Sequence, residues 1–242
     1  MVSLKGILHM SLIFKQLFER ESCTYTYLIA DSVSKEAAIV DAVDIMIGRD
    51  TALLKELDLD LKFIIETHIH ADHITSACPL KKYYPDARIV IGMENIDAEA
   101  CSDIMVSEGH ILNVGQYEIT TIETPGHTVG CMSYLIENKL LTGDALFIRS
   151  TGRCDFQGGS AESLYESIQK LFKLPDTTEV YPAHDYNGLS VSTIGEEKKF
   201  NSMIKESFDE QDFINNVNSL DLGLPKKIKV AVPANQSCGL IS

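Results

Sequence analysis

Short apolar runs separated by polar turns fill much of the chain and predict strands. Such runs occur at 13–18, 25–31, 37–43, 61–66 and 87–91. Segment 116–123 alternates apolar and polar side chains, and 131–136 is joined to 139–142 by Glu137-Asn138. Alternating or β-branched runs bounded by turn residues are typical of strands, so the last pair predicts a hairpin. A further short strand is expected at 179–181.

Apolar residues at helical spacing predict helices between and after these strands. Leu53, Leu54 and Leu57 share one face of 48–57, and Ser160 is a typical N-cap for 160–172. Other helices are expected at 74–84, 196–208 and 211–220, whereas 97–107 is helical or irregular. The pattern predicts an α/β or α+β fold in one domain over 1–242. Residues 1–9 are expected to form an optional leader, and a C-terminal extension is expected to begin near 196.

Composition excludes several classes of partner. The 242 residues carry a net charge of -14, from 21 basic and 35 acidic side chains, which disfavours nucleic acid and anionic membranes. No apolar run has transmembrane length. The six cysteines include no C-x-x-C pair, and the N-terminus is a poor secretory signal. A cytoplasmic protein with reduced cysteines is therefore expected.

Histidine and aspartate cluster in short motifs that each follow a predicted strand. Five of the seven histidines lie in T-H-I-H-A-D-H (67–73), T-P-G-H-T (124–128) and Y-P-A-H-D (181–185), and T-G-D (142–144) falls between the last two. These motifs supply His68, His70, Asp72, His73, His127, Asp144 and His184. Imidazole and carboxylate together suit Zn, Fe or Mn, so the motifs predict a metalloenzyme. His9 and His110 have no such context.

The local spacing is compatible with one shared site. In an extended segment, residues two apart point the same way, so His68 and His70 can reach one position. Gly126 and Gly143 allow the backbone to turn tightly before His127 and Asp144. Four motifs spread over the chain must then converge in the folded protein.

The succession T-H-x-H-x-D-H, histidine, aspartate, histidine resembles the metallo-β-lactamase superfamily. That resemblance implies an αββα sandwich with one or two metals at the edge of the sheets. In a dinuclear site, His68, His70 and His127 would bind one metal. Asp72, His73 and His184 would bind the other, with Asp144 bridging them.

Within that superfamily, the chain is similar to persulfide dioxygenases, also called sulfur dioxygenases. The similarity rests on T-G-R-C-D-F-Q (151–157), Y-P-A-H-D-Y (181–186) and V-P-A-N (232–235). It implies one Fe(II) per subunit bound by His68, His127 and Asp144, a facial triad with open positions. His70, Asp72, His73 and His184 would then orient those ligands. The implied reaction, which belongs to sulfur metabolism and hydrogen sulfide detoxification, oxidises glutathione persulfide with O2 to sulfite and glutathione.

The resemblance also places substrate-binding residues. Arg153 and Tyr186 would lie near glutathione, since a guanidinium binds a carboxylate through two hydrogen bonds. Alternatively, Arg153 pairs with Asp155 and Tyr186 packs in a loop. Where family members often have a further arginine in an Asn-Pro-Arg run, this chain has Asn201-Ser202-Met203, so Lys198, Lys199 or Lys205 would have to substitute. Cys154, inside the substrate loop, is expected to be an unreactive thiol.

Two other functions are compatible with the same motifs. The first is a glyoxalase II-type thiolester hydrolase with a zinc or mixed dinuclear site that activates hydroxide. The second is a non-catalytic metal- or sulfur-binding sensor. A rhodanese is a candidate pathway partner and a homodimer a candidate assembly.

Overall fold

Two six-stranded sheets face each other at the centre of the molecule. The computed structural model describes residues 11–241, so the predicted leader lies outside the described residues. The first sheet runs in the order β1-β2-β3-β4-β5-β6 and the second in the order β12-β11-β10-β9-β8-β7. The first contains β1 (Leu12–Phe18), β2 (Tyr25–Asp31), β3 (Glu36–Val40), β4 (Asp60–Ile65), β5 (Arg88–Gly92) and β6 (Ile104–Val106). The second contains β7 (Ile111–Val114), β8 (Tyr117–Glu123), β9 (Met132–Ile136), β10 (Lys139–Gly143), β11 (Glu179–Pro182) and β12 (Ser192–Thr193).

Helices cover the outer faces of both sheets. They are α1 (Ile47–Glu56), α2 (Ala77–Tyr83), α3 (Ala161–Leu171), α4 (Ile194–Phe200), α5 (Glu210–Asn218) and α6 (Ile228–Asn235). One apolar cluster fills the space between the sheets, where Tyr27 and Ile65 meet Tyr134 and Leu141. Separate clusters lie under α1 and α2 and under α3 and α5. This order of layers confirms the predicted αββα sandwich.

Strand burial follows from this arrangement. Every residue of β2 is buried, because the strand lies inside the first sheet with side chains covered on both faces. β3, β4 and β5 pair in parallel, and β10 pairs in parallel with β11. The four histidine and aspartate motifs lie at or directly after the C-terminal ends of β4, β8, β10 and β11. A backbone hydrogen bond of 2.7 Å from Tyr25 N to Ala183 O joins the two sheets at that end.

Several elements differ from the sequence predictions. Segment 97–107 contains the strand β6, and β7, β12 and α6 were not predicted. The helix predicted over 196–208 ends at Phe200. The helix ends there because Asn201 adopts an extended conformation and its side-chain oxygen accepts hydrogen bonds from Met203 N and Ile204 N.

The prediction that all cysteines are reduced is wrong for one pair. Cys101 and Cys238 form a disulfide across 137 residues of sequence. The pairing escapes sequence analysis because only docking of the C-terminal segment brings Cys238 beside the turn that carries Cys101. Cys23, Cys78, Cys131 and Cys154 are free. Within 11–241, no helix is long and apolar enough to cross a bilayer.

Candidate metal centre

His68, His127 and Asp144 come together at the end of the sandwich where the sheets meet. One ligand atom from each lies within 4.8 Å of the others, and all three residues are buried. The backbone turns tightly at Gly126 and Gly143, which precede His127 and Asp144, as the sequence predicted. Gly126 has a φ of +140°, and a Cβ there would lie 2.4 Å from the backbone of Leu164. Gly143 has a φ of +53° and lies against Thr67.

Hydrogen bonds fix which ring nitrogen of His68 faces the centre. The Thr67 hydroxyl donates its proton to Asp41 Oδ2 at 2.9 Å, so it accepts a hydrogen bond from His68 Nδ1 at 3.0 Å. The Nε2 lone pair of His68 is therefore left for a metal. Burial, with His70 and His127 nearby, lowers the pKa of His68 well below its usual value, which favours the neutral ring.

His127 is oriented in the same way by a backbone carbonyl. Its Nδ1 donates to Arg153 O at 2.6 Å, because a carbonyl oxygen can only accept. Its Nε2 lies 3.5 Å from Asp144 Oδ2. Partners of this kind on the outer nitrogen are typical of histidines that bind a metal.

Asp144 leaves one oxygen without a hydrogen bond. Oδ1 is buried, has no hydrogen-bond partner within residues 11–241, and lies 3.6 Å from His184 Nε2. A buried carboxylate oxygen without a partner is costly, and a bound cation would satisfy it. Two oriented imidazoles and this oxygen fit a divalent metal such as Fe(II) or Zn(II).

The remaining motif residues lie beside this group. His70, Asp72 and His73 form a second set with ligand atoms within 4.8 Å of one another. However, His70 Nε2 points to the buried carboxylates of Asp41 at 3.1 Å and Glu66 at 3.4 Å. Burial lowers the pKa of His70, but these two carboxylates outweigh burial and raise that pKa well above its usual value.

Asp72, His73 and His184 are held by the β1–β2 turn. His73 Nδ1 lies 3.1 Å from Asp72 Oδ2 and 3.3 Å from the Thr24 hydroxyl. His184 Nδ1 lies 3.3 Å from Cys23 O. Burial alone would raise the pKa of Asp72, yet His184 and His73 hold it well below its usual range.

A cleft of about 600 Å³ opens onto the first group. His68, His127 and Asp144 form its base, and its walls include Phe147, Ile148, Phe156, Leu222 and Pro225. Tyr186 stacks on His184, with ring planes 10° apart and centroids 6.0 Å apart. The arrangement is typical of an active site, because apolar walls surround a few convergent polar groups.

Comparisons with known proteins agree with this geometry. The sequence profile of the Metallo-beta-lactamase superfamily matches residues 107–184. Persulfide dioxygenase ETHE1, mitochondrial, from Mus musculus is 42% identical over 231 residues, covering 94% of this chain and 89% of the relative. The Homo sapiens protein of the same name is 40% identical, covering 95% and 89%. This chain belongs to the persulfide dioxygenase family.

A solved structure supports the assignment to the persulfide dioxygenase family. The crystal structure of ETHE1 from Myxococcus xanthus superposes with a TM-score of 0.90 at 43% identity, covering 94% of this chain and 100% of that one. The protein is therefore an oxidoreductase with the metallo-β-lactamase fold, as the sequence resemblance predicted.

Arg153 pairs with Asp155, which is the alternative to substrate binding that the sequence analysis gave for this residue. The guanidinium lies in the cleft wall and donates to both Asp155 oxygens at 2.5 Å. It also donates to Leu222 O at 2.9 Å and Gly223 O at 2.7 Å. Arg153 thus ties the loop before α6 to the cleft, and its role as a substrate ligand stays a prediction.

Three lysines were considered in place of the further arginine that family members often carry. Within the described part of the chain, none of them lines the cleft. Lys198 Nζ binds Asp176 at 2.6 Å. Lys199 and Lys205 lie over the rings of Phe200 and Phe208. Asn201 is buried and donates to Ser150 O at 3.0 Å, so it supports the cleft wall. His110 is exposed, and His9 lies outside the described residues.

Sequence analysis missed residues that form hydrogen bonds to the candidate metal ligands and their loop. Asp41 accepts hydrogen bonds from Thr67 N at 2.8 Å and from the Thr67 hydroxyl, and Glu66 lies beside His70. Asp41 directly follows β3, in the same position relative to its strand as the metal motifs. This position directly after a strand was the feature of the sequence that could have pointed to Asp41. Asn235, which contacts the loop of the first motif, stands in V-P-A-N (232–235), one of the motifs of the family resemblance, but nothing in that motif indicated these contacts.

Proposed function

We propose that the protein is an Fe(II)-dependent persulfide dioxygenase that oxidises glutathione persulfide with O2 and water to sulfite and glutathione. Both atoms of O2 end on the terminal sulfur, and water supplies the third oxygen of sulfite. The observation that carries the proposal is the group of His68, His127 and Asp144, with both rings oriented and one carboxylate oxygen unpaired, at the base of an apolar cleft.

Binding of one metal is supported by the partners of several other donors, although His70 Nδ1 and His73 Nε2 are buried without a hydrogen-bond partner within residues 11–241. His70 directs Nε2 to Asp41 and Glu66. Asp72 lies in hydrogen-bond contact with His73, and His184 contacts a backbone carbonyl. These residues are therefore proposed to orient the ligands rather than to complete a second site.

The cleft supplies binding and orientation. Fe(II) at the base would offer open positions where O2 and the persulfide sulfur meet. Phe147, Phe156 and Leu222 exclude water around that position. At the mouth, Tyr186 donates its hydroxyl to the peptide, and a glutathione carboxylate exchanges with Asp155 on Arg153. The cleft then admits only the terminal sulfur to the base.

Metal analysis combined with an oxygen electrode tests the proposal. We expect one iron per chain, consumption of O2 with glutathione persulfide, and sulfite as the product. His68→Ala should lose iron and at least about 100-fold of the activity, because a ligand is removed. His110→Ala, which changes an exposed histidine, is the matched control and should keep both. Iron-loaded protein that consumes no O2 with the persulfide would contradict the proposal.

A glyoxalase II-type hydrolase is the second candidate, and the set of His70, Asp72 and His73 favours it. A dinuclear enzyme of that type would bind two metals per chain and would lower the pKa of a bound water. It would hydrolyse S-lactoylglutathione without consuming O2. The same preparations therefore separate the two functions.

The cytoplasmic location, a rhodanese partner and a homodimer stay predictions. The relatives from Mus musculus, Bos taurus and Homo sapiens are named as mitochondrial proteins. Disulfides such as Cys101–Cys238 are uncommon in reducing compartments, so the location has to be measured. Cell fractionation checks the first prediction, and sedimentation checks the assembly.

A further inference from the structure

The C-terminal segment contacts the loop that carries the first metal motif. Asn235, the last residue of α6, is buried. Its Nδ2 donates to His70 O and to His73 O, both at 2.8 Å. Its Oδ1 accepts from Thr75 N at 2.9 Å. One side chain therefore binds three main-chain groups within six residues of the loop.

This loop depends on such contacts because it lies between β4 and α2 outside regular secondary structure. Buried backbone N–H and C=O groups need hydrogen-bond partners, and here the partners come from a side chain. A primary amide suits the position, since it presents two donors and an acceptor together. Aspartate would turn a carboxylate oxygen toward two carbonyl oxygens, and leucine would leave all three groups unpaired.

Other contacts hold the segment independently of Asn235. The Cys101–Cys238 disulfide links it to the turn before β6, and Cys78 N donates to Cys238 O at 2.9 Å. Gly239 has a φ of +88°, and a Cβ there would lie 2.1 Å from Thr75 O. Val232 packs against the cluster that contains Ile69 and Ile91. Asn235 is thus presented to the loop from a fixed support.

We propose that Asn235 is a positioning residue for the metal centre. By holding the backbone at His70, His73 and Thr75, it keeps His68 aligned with His127 and Asp144. In the described part of the chain Asn235 does not line the cleft, and its side-chain hydrogen bonds to the loop go to main-chain groups. The proposal rests on the metal site of the proposed function, but not on the identity of the substrate.

Metal affinity measured without turnover tests the proposal. Asn235→Asp keeps the size of the side chain and removes both donors. We expect it to weaken binding of Co(II), measured by chelator competition well below the unfolding temperature, by roughly 10- to 100-fold. The visible spectrum of the bound Co(II) should also shift. In iron-saturated enzyme, kcat should fall while KM for the persulfide is unchanged.

Two controls separate positioning from a general loss of stability. Gln236→Ala removes the next side chain, which binds Asp97, and should leave the affinity for Co(II) unchanged. Phe213→Leu lowers stability by changing the buried contact of α5 with α3, away from the metal loop. The two variants, Asn235→Asp and Phe213→Leu, are compared when both lower the unfolding temperature by the same amount. The proposal is overturned if they then bind Co(II) equally tightly.

Hydrogen exchange on the unsubstituted protein covers the case in which Asn235→Asp does not fold. The Thr75 amide should exchange as slowly as the amides of β4, because Asn235 Oδ1 protects it. Rapid exchange at Thr75 would overturn the proposal. If the unsubstituted protein binds Co(II) but consumes no O2 with a persulfide, the proposed function fails while the role of Asn235 stands. A protein that binds no metal contradicts both.

Discussion

At the scale of single residues, Thr67 connects a buried carboxylate to a candidate metal ligand. Its hydroxyl donates to Asp41 and accepts from His68 Nδ1, so it fixes both the tautomer and the angle of the ring. Thr67→Val removes this link while keeping the shape. We expect metal affinity to fall by about 10- to 100-fold, as measured by chelator competition.

Thr67→Ser is the matched control, because it keeps the hydroxyl and removes only a methyl group. It should bind metal nearly as tightly as the unsubstituted protein. Equal affinities in the valine and serine variants would show that the hydroxyl does not orient His68.

Cys154 gives a prediction of the opposite kind. Burial raises the pKa of its thiol to about 12, with further contributions from Cys131, Asp155 and Glu162. Below that pKa the thiol is protonated, and only the thiolate is a good nucleophile. Cys154→Ser should therefore keep kcat/KM for glutathione persulfide within about twofold, since one neutral group replaces another. An inactive variant with bound iron would give the thiol a role in the reaction.

At the scale of elements, the disulfide determines how firmly the C-terminal segment is attached. Closing a loop of 137 residues removes entropy from the unfolded chain. The double substitution Cys101→Ser and Cys238→Ser should therefore lower the free energy of unfolding by about 3–5 kcal/mol in urea titrations. Reductant should have the same effect on the unsubstituted protein.

Cys78→Ser provides the control, because Cys78 is free and packs near Cys238. Its stability should fall in reductant by as much as that of the unsubstituted protein, because the Cys101–Cys238 disulfide is intact in this variant. Equal stability with and without reductant in the unsubstituted protein would contradict a disulfide in solution.

The same elements show how far sequence reasoning reaches. β2 has the boundaries predicted for it, and α3 and β9 lie within one residue of theirs, since alternation and capping are local properties. The layered fold and the convergence of His68, His127 and Asp144 followed from motif resemblance. Contacts between distant segments could not be predicted, because no local pattern records them. α6, the disulfide and the contacts of Asn235 all depend on where the C-terminal segment docks.

At the scale of the whole molecule, the two sheets act as a frame that brings four loops to one end. The metal motifs follow β4 in the first sheet and β8, β10 and β11 in the second. The C-terminal segment closes this end from outside, with Arg153 bound to the loop before α6 and Asn235 bound to the metal loop. The C-terminal segment therefore contributes both to the wall of the cleft and to the contacts of the metal loop. Displacement of this segment would alter both.

The net charge of -14 gives the last prediction. The residues that line the cleft include one arginine, Arg153, and the carboxylates of Asp72, Asp144 and Asp185. Glutathione persulfide carries more carboxylate than ammonium groups, so the field of the protein repels it as it approaches. Added salt screens this repulsion, since the Debye length falls from about 30 Å at 0.01 M to about 10 Å at 0.1 M.

We therefore expect kcat/KM for glutathione persulfide to rise several-fold, on the order of two- to tenfold, as salt increases over this range. Cysteamine persulfide is the matched comparison, because it carries an ammonium group and no carboxylate. For that substrate kcat/KM should change little with salt, because its ammonium group and its ionised persulfide sulfur leave it with almost no net charge. Oxygen uptake at low substrate concentration measures both. If glutathione persulfide instead loses kcat/KM as salt rises, local attraction by Arg153 outweighs the global field. The approach of the substrate is then governed at the cleft rather than by the whole molecule.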